Sequence, residues 1–401
     1  MSRNVPKLRF KGFEDEWKEK SFKDIFNGFE YGMNSTAVEF DGKNRYIRIT
    51  DIDDRNSKYK SKNPVSPEGI LEDKYLVKSN DILFARTGAS VGKTYLYDKE
   101  DGKLYFAGFL IRGNVNCENN AKFIFTQTKT LNYEKWVKVM SMRSGQPGIN
   151  SQEYSSYKIK VPSLQEQEKI ANFLSKVDSI IEKQEKKVEY WNSYKKGMMQ
   201  KIFSQKIRFK DENGRDYPEW KINKIENIAT IEMGFTPSTK NDEAWNGNIE
   251  WLSIAGMNSK YIYSGNKKIS SEILGKRKLV PIDTLIMSFK LTIGRLAIVK
   301  KEIVTNEAIC QFYWKSKDIS NEYMYAYLSV INIESFGCRA AKGITLNTES
   351  LNSIVVKLPC LEEQTKIANF LSNIDNIIEK ESKKLEELKQ WKKGLLQQMF
   401  V

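Results

Sequence analysis

The sequence predicts an α/β protein made twice over: two mixed α/β domains separated by two long antiparallel coiled-coil helices, related by an internal pseudo-two-fold duplication. Three observations predict it. A segment of 42 residues occurs at 162–203 and again at 359–400, with 24 of the 42 positions identical at an offset of 197. Inside both copies apolar residues recur at alternating spacings of three and four, the coiled-coil period. Ahead of each copy lies a stretch of short strand-like runs punctuated by turn residues. A period near 200 is far longer than a solenoid unit of ~20–50 residues, so the repeat is a duplicated half-molecule.

Taken in order, the first half opens with LRFKGFEDEW (8–17) and the second with IRFKDENGRDYPEW (207–220), each an L/I-R-F followed by an acidic turn and E-W. Strand-like runs follow at 46–50 (YIRIT) and 251–255 (WLSIA). DILFARTGASVGKTYL (81–96) and DTLIMSFKLTIGRLAI (283–298) alternate apolar and polar residues, break at a turn and resume after Gly92 or Gly294, which predicts strand, tight turn, strand. Glycine-containing loops at 143–153 and 339–349 lead into short strands at 158–161 and 354–358, and these run into the proline that starts each repeated segment. The expected division is a domain at 1–161, a helix at 162–204, a second domain at 205–358 and a second helix at 359–401.

The seam of the first helix comprises Ile170, Leu174, Val177, Ile181, Gln184, Val188, Trp191, Lys195, Met198 and Ile202. That of the second comprises Ile367, Leu371, Ile374, Ile378, Glu381, Leu385, Leu388, Lys392, Leu395 and Met399. About 38 helical residues make a rod of roughly 57 Å. Ser163 and Glu166 form an S-x-x-E pattern that predicts a capping box, which Cys360 breaks in the second copy. Polar residues interrupt both seams at matching places, Gln184 with Glu381 and Lys195 with Lys392, and such residues fix register. An antiparallel register that sets Lys195 against Glu381 also sets Lys392 against Gln184.

The chain carries +14 net charge, most of it in the two domains: +7 over 1–161 and +5 over 205–358. Basic domains rich in Tyr, Phe and Trp suit a polyanion, most simply nucleic acid. The chain has no histidine, which removes histidine acid–base chemistry, histidine-containing triads and most zinc chemistry. Cys117, Cys310, Cys338 and Cys360 are scattered, which argues for a reducing compartment and against a disulfide framework or zinc site. The absence of a long apolar run and of an apolar leader predicts a cytoplasmic protein.

GASVGKT (88–94) suggests a phosphate-binding loop, but only three residues separate its glycines and Thr87 stands where the first glycine belongs. No Pro-Pro occurs, so the (D/N/S)-P-P-(Y/F) pattern of amino methyl transfer is absent, as is G-x-G-x-x-G. These residues describe a binder with no catalytic residues and no metal site. Candidate DNA contacts are loops of small donors with Arg or Lys, because phosphates take cations and base edges take Arg, Lys, Asn, Gln, Ser and Thr. They form matched sets: Asn34, Ser35 and Thr36 with Thr236, Ser238, Thr239 and Lys240; Arg86 and Thr87 with Lys290 and Thr292; Arg143, Ser144 and Gln146 with Arg339 and Lys342.

With these residues in view, the chain resembles the specificity subunit of type I restriction–modification enzymes. The resemblance covers the whole length. It rests on P-x-L-x-E-Q-x-K-I-A-x-F-L at 162–174 and 359–371, the D-x-I-I-E-K that follows, the D-I-L-x-x-R-x-G-x-x-x-G-K turn at 81–93, and the duplicated architecture. The second half departs from that turn, with Lys290 near the place of Thr87 and Gly88. The resemblance implies two target-recognition domains, each reading half of a split double-stranded DNA site, with the helices setting the gap. It also implies a chain inactive alone, with two methyltransferase subunits supplying S-adenosylmethionine chemistry on adenine and two restriction subunits using ATP and Mg. Two other readings fit the residues: a nucleotide-using DNA enzyme built on GASVGKT, and a coiled-coil scaffold without sequence readout.

Overall fold

The computed structural model describes residues 4–60, 62–142, 147–340 and 343–401, with the backbone alone for 338–340 and 343–345. The chain divides into two compact units, Met1–Glu185 with Lys383–Val401, and Lys186–Ser382. The two long helices are Leu164–Phe203 and Leu361–Met399. Each gives its N-terminal half to one unit and its C-terminal half to the other. Among the described residues no helix is long and apolar enough to cross a membrane.

Inside each unit the half-helices run antiparallel. In the first, Lys392 lies 2.5 Å from Asp178 and Lys389 lies 2.7 Å from Glu185. In the second, Lys195 lies 2.5 Å from Asp375 and Lys187 lies 2.8 Å from Glu381. The pairs Lys195–Asp375 and Lys392–Asp178 are the same interaction 197 residues apart. The expected register is corrected by this: Lys195 meets Asp375 and not Glu381, and Lys392 meets Asp178 and not Gln184. A seam lysine extends its stem along the apolar seam and delivers its amine to a carboxylate on the flank. The pairs are part-exposed, so each contributes only about 0.2–1 kcal/mol and serves mainly to set register.

The seam is also a domain core. Ile170, Leu174, Val177 and Ile181 are buried with Leu395 and Met399 in the core of the first unit. Ile367, Leu371 and Ile374 are buried with Met199 and Ile202 in that of the second, with Ile378, Trp191 and Met198 packed against it.

Each unit repeats one sheet plan. The first has a four-stranded antiparallel sheet in the order Phe26–Tyr31, Leu110–Val115, Asp81–Ala85, Thr94–Leu96. The second has Ala229–Met233, Ile309–Trp314, Leu285–Ser288 and Leu296–Val299 in the same order, and adds Tyr261–Ile262 in parallel at the edge. The 81–96 and 283–298 segments are strand–turn–strand as expected, but their strands are buried on both faces. Ile82 and Phe84 face the helix-side core while Leu83 and Ala85 face a second core. Leu285 and Met287 against Ile286 repeat the division. The runs expected at 46–50 and 251–255 are shorter strands, Arg45–Ile47 and Ile249–Leu252, each followed by a 3-10 turn. Part of the loop expected at 339–349 is a pair of short antiparallel strands, Cys338–Ala340 with Gly343–Thr345.

The repeated motifs account for the joint between globule and helix. Glu166 is 1% exposed and Arg9 grips both its oxygens, Nε to Oε1 at 2.8 Å and Nη2 to Oε2 at 2.8 Å. Glu363 is fully buried and takes Arg208 at 3.2 and 2.9 Å. The Glu166 carboxylate that the S-x-x-E pattern singled out is engaged in this long-range pair with Arg9. The neighbouring glutamines tie in the next helix. Gln167 Oε1 accepts the Asn120 amide at 3.0 Å, and Gln364 Oε1 accepts the Ser320 amide at 2.9 Å. Asn120 and Ser320 are the N-caps of Ala121–Gln127 and Asn321–Leu328. The phenylalanine of each L/I-R-F meets a helix phenylalanine edge-on, Phe10 on Phe173 at 5.7 Å and Phe209 on Phe370 at 5.6 Å.

One difference between the copies is testable. Trp220 Nε1 donates to Glu363 at 3.0 Å, whereas Trp17 Nε1 is buried without a partner. Both Trp→Phe substitutions remove similar volume, so their difference isolates the bond to a charged acceptor, about 1.5–3 kcal/mol. Native-state hydrogen exchange, which reads each unit separately, should show Trp220→Phe as the costlier change by that amount; equal losses would contradict it.

Candidate nucleic-acid interface

In the first unit the separate loops of the sequence meet on one turn, residues 107–110, closed by the Leu110 amide donating to the Ala107 carbonyl at 2.8 Å. The strand Phe26–Tyr31 delivers the chain to Gly32, where any Cβ would collide with the Ala107 carbonyl. That close approach lets Met33 donate to Phe106 at 2.9 Å and accept from Gly108 at 2.8 Å, which places Asn34, Ser35 and Thr36 beside the turn. The strand Asp81–Ala85 ends at Arg86, whose amide donates to the Phe109 carbonyl at 3.1 Å. Its guanidinium reaches the Gly108 carbonyl at 3.4 Å and lies 4.8 Å from the centre of the Tyr31 ring. The loop after residue 146 closes the cluster, with Ile149 donating to Arg86 at 2.9 Å and Gly88 to Pro147 at 3.0 Å. Thr87 bridges Gly148. Arg143, Ser144 and Gln146 lie outside the described residues.

The roles inside this cluster differ. Asn34 and Thr36 are exposed, while Ser35 Oγ is occupied with the Glu68 carbonyl at 2.6 Å and fixes the loop. An open recess of 440 Å³ lies there, lined by Asn34, Ser35, Thr36, Glu68, Ile70 and Glu72 among others.

The second unit repeats the arrangement. Gly234 packs on the Thr305 carbonyl with no room for a Cβ, and Phe235 donates to that carbonyl at 2.8 Å. Thr236 Oγ1 accepts from Asn306 at 3.0 Å and donates to Glu307. Phe289 donates to Ala308 at 3.0 Å, which joins the 288–295 turn to the same place. Buried Ser288 organises that turn: its Oγ donates to Thr292 O and accepts the Arg295 amide at 3.1 Å, and its carbonyl accepts the Gly294 amide at 2.8 Å. Lys290 and Thr292 stand exposed on the turn, and Ser238, Thr239 and Lys240 are exposed on the adjoining loop. Arg339 lies in the strand Cys338–Ala340, and Lys342 lies outside the described residues.

Sequence reasoning missed three residues of these clusters. Tyr31 carries Arg86 on its ring. Phe109, at the apex of the 107–110 turn, is 64% exposed. Leu291, between Lys290 and Thr292, is 96% exposed and adopts φ +65°. The left-handed conformation costs a side-chain-bearing residue roughly 1–2 kcal/mol, and Gly or Asn is the usual occupant. The A-G-F and K-L-T strings were the available signals.

GASVGKT is structural. Gly88–Ser90 is a 3-10 turn, and Lys93 pairs with Asp54 at 2.6 Å. Thr94 is fully buried, its Oγ1 2.7 Å from Thr128 Oγ1 and 2.6 Å from Lys129 Nζ. The lysine and threonine that would serve phosphate and magnesium are engaged inside the unit, and the nucleotide-using reading loses its motif.

With this geometry in place, comparison with known proteins is direct. The family model described as "Type I restriction modification DNA specificity domain" matches twice, at residues 14–190 and 217–390. The chain therefore belongs to the type I restriction–modification specificity-subunit family and carries two target-recognition domains. It is similar to the MjaVIII specificity subunit of Methanocaldococcus jannaschii, 26% identical over 82% of this chain and 80% of that one. It is also similar to a putative MjaX specificity subunit from the same organism, 27% identical over 98% and 95%. Among solved structures, the S subunit from M. genitalium shares the fold with a TM-score of 0.58, 15% identity and 99% coverage of both chains. A chain from a structure titled for complex assembly and conformational transition of the type I R-M system shares it with a TM-score of 0.60, 16% identity and coverage of 96% and 98%.

The amine packed on Thr94 gives a pH prediction. Lys129 Nζ is enclosed by Ser57 Oγ at 2.7 Å, Thr94 Oγ1 and the Phe125 ring at 4.4 Å. Burial, with smaller contributions from Lys392 and Lys93, lowers it to about 7. An unfolded lysine titrates near ~10.4, so between these values the unfolded chain holds more protons and stability rises with pH. Urea unfolding at pH 7.5 and 9.5 should show the first unit gaining stability with pH, and Lys129→Met should flatten the gain; an unchanged slope in the variant would contradict it.

Proposed function

We propose that this chain is a non-catalytic DNA sequence-specificity subunit that reads an asymmetric bipartite double-stranded site, one half-site for each unit's loop cluster. Two methyltransferase subunits, using S-adenosylmethionine, methylate adenine within that site. Two restriction subunits, using ATP and Mg, cleave when the site is unmodified. The assembly works in the cytoplasm. The observation that carries this reading is the twofold recurrence, on a basic chain, of a loop cluster fixed by backbone hydrogen bonds whose exposed side chains differ between copies. One cluster presents Asn34, Thr36 and Phe109, with half-buried Arg86 beside them; the other presents Lys240, Lys290, Leu291 and Thr292. A shared frame with different donors suits two different half-sites, because donors at base edges carry sequence while cations on phosphates carry affinity.

The test is methylome sequencing of a methylation-deficient host expressing this chain with its cognate methyltransferase subunit, against the methyltransferase alone. The expected result is methylated adenine in a bipartite motif with two unlike halves, seen only when this chain is present. A palindromic motif would overturn the asymmetry, and no motif despite a stable complex would overturn DNA reading. On the motif so found, Lys290→Ala should weaken binding and lower the slope of log K against log [salt] by about 1, the signature of one lost phosphate contact. A slope unchanged from the parent complex would remove Lys290 from the phosphate contacts.

A further inference from the structure

We infer that Phe109 and Leu291 are apolar wedges that enter the base stack of the two half-sites; this rests on the DNA-reading function proposed above. Three observations converge. Each unit raises a large apolar side chain from a tight turn of its candidate DNA-facing cluster, Phe109 at 64% and Leu291 at 96% exposure; Ile70, also exposed in the first cluster, lies on the neighbouring recess wall and not on that turn. Each is flanked by polar or cationic groups that suit a phosphate backbone. Phe109 sits beside Arg86, whose amide donates to the Phe109 carbonyl at 3.1 Å, and Leu291 sits between exposed Lys290 and Thr292. Each is also held on a rigid turn. The Ala107–Leu110 hydrogen bond and the Gly108–Met33 bond fix the first, and the buried Ser288 and Phe289 fix the second.

Leu291 carries the argument furthest. A leucine at φ +65° with nearly its whole side chain in water breaks two local rules at once, one of backbone and one of burial. Such double violations concentrate at functional sites. The partner that would bury this side chain, and so offset the cost of holding it out, is one that offers an apolar slot to a single projecting side chain and anionic rims to the lysine beside it. An opened base step offers this chemistry: aromatic base faces inside, phosphates outside, with Phe and Leu among the side chains that enter such steps. Because phenylalanine and leucine differ in shape, the two half-sites are deformed differently, and sequence is read partly through how easily each step opens.

The test uses the assembled methyltransferase complex and duplexes carrying the methylome motif, with 2-aminopurine placed at successive positions through each half-site. Unstacking brightens this base. The parent complex should brighten one position in each half-site, apart from the methylated adenine. Leu291→Ala should abolish the signal in one half-site only and weaken binding roughly tenfold, and Phe109→Ala should do the same in the other. Leu291→Gly separates this from misfolding: glycine relieves the left-handed strain, so the melting temperature should hold or rise while the signal disappears. Brightening that survives the alanine variants, or no brightening outside the methylated adenine, overturns the wedges while leaving DNA reading intact. Absence of the methylome motif overturns the DNA reading itself, and the wedges with it.

Discussion

The structure depends on a buried carboxylate at the head of each long helix. Glu166 and Glu363 are shut away from water, and an ion so placed is costly unless its hydrogen bonds are met. Arg9 and Arg208 meet them in bidentate geometry, the arrangement a planar guanidinium serves best. The same guanidinium groups take backbone carbonyls with their remaining donors, Arg9 that of Asp15 and Arg208 those of Tyr217 and Pro218. One side chain therefore ties the start of a half to the helix that ends its globule. The adjoining glutamine holds the N-terminus of a second helix, so two consecutive residues, E-Q, join three pieces of chain. This explains why the most specific string in the sequence is one that serves the joint between globule and helix.

From that joint follows the stiffness of the loop clusters. The strands Asp81–Ala85 and Leu285–Ser288 are buried on both faces, one against the core that the helices complete and the other against a second core. Loops leaving such strands inherit a fixed starting point, and Gly32 and Gly234, at the ends of the neighbouring strands Phe26–Tyr31 and Ala229–Met233, press a second loop against Ala107 and Thr305. Function placed on loops over a rigid frame is the common division of labour in recognition proteins.

The duplication, the long helices, the strand–turn–strand units and the antiparallel pairing were legible in the sequence because each rests on periodicity. What stayed hidden rests on contacts distant in sequence. Glu166 reads locally as a capping residue; its partner Arg9 lies 157 positions away, and no local pattern announces it. The register failed because Lys195 and Lys392 were paired with other seam positions, while a lysine in a seam sends its amine to the flank, where Asp375 and Asp178 stand. The polar candidates in the loops were found from composition and repetition. Phe109 and Leu291 were not, because an apolar residue between strands reads as part of a strand until the fold shows it in solvent.

The two copies have diverged inside as well as at their loops. Ala121–Gln127 follows the cap Asn120 and Asn321–Leu328 follows the cap Ser320, so Ser329 stands where the first unit has Lys129. In one unit the position holds an amine enclosed by Ser57, Thr94 and Phe125; in the other it lines an open recess of 510 Å³ with Lys195, Asp375, Lys260 and Glu322. Trp17 and Trp220 differ likewise, one with its indole nitrogen unpaired and one bound to Glu363. Beside the shared sheet order, what the duplication has kept in side-chain detail is the Glu–Arg clamp, the Gln tie, the phenylalanine pair and the seam lysine with its aspartate. These fix where a globule sits on its helix and leave its interior and its loops free to change. A frame kept in its joint and its sheet order, with other side chains free to differ, can carry two unlike reading surfaces, as the proposed recognition of two unlike half-sites requires.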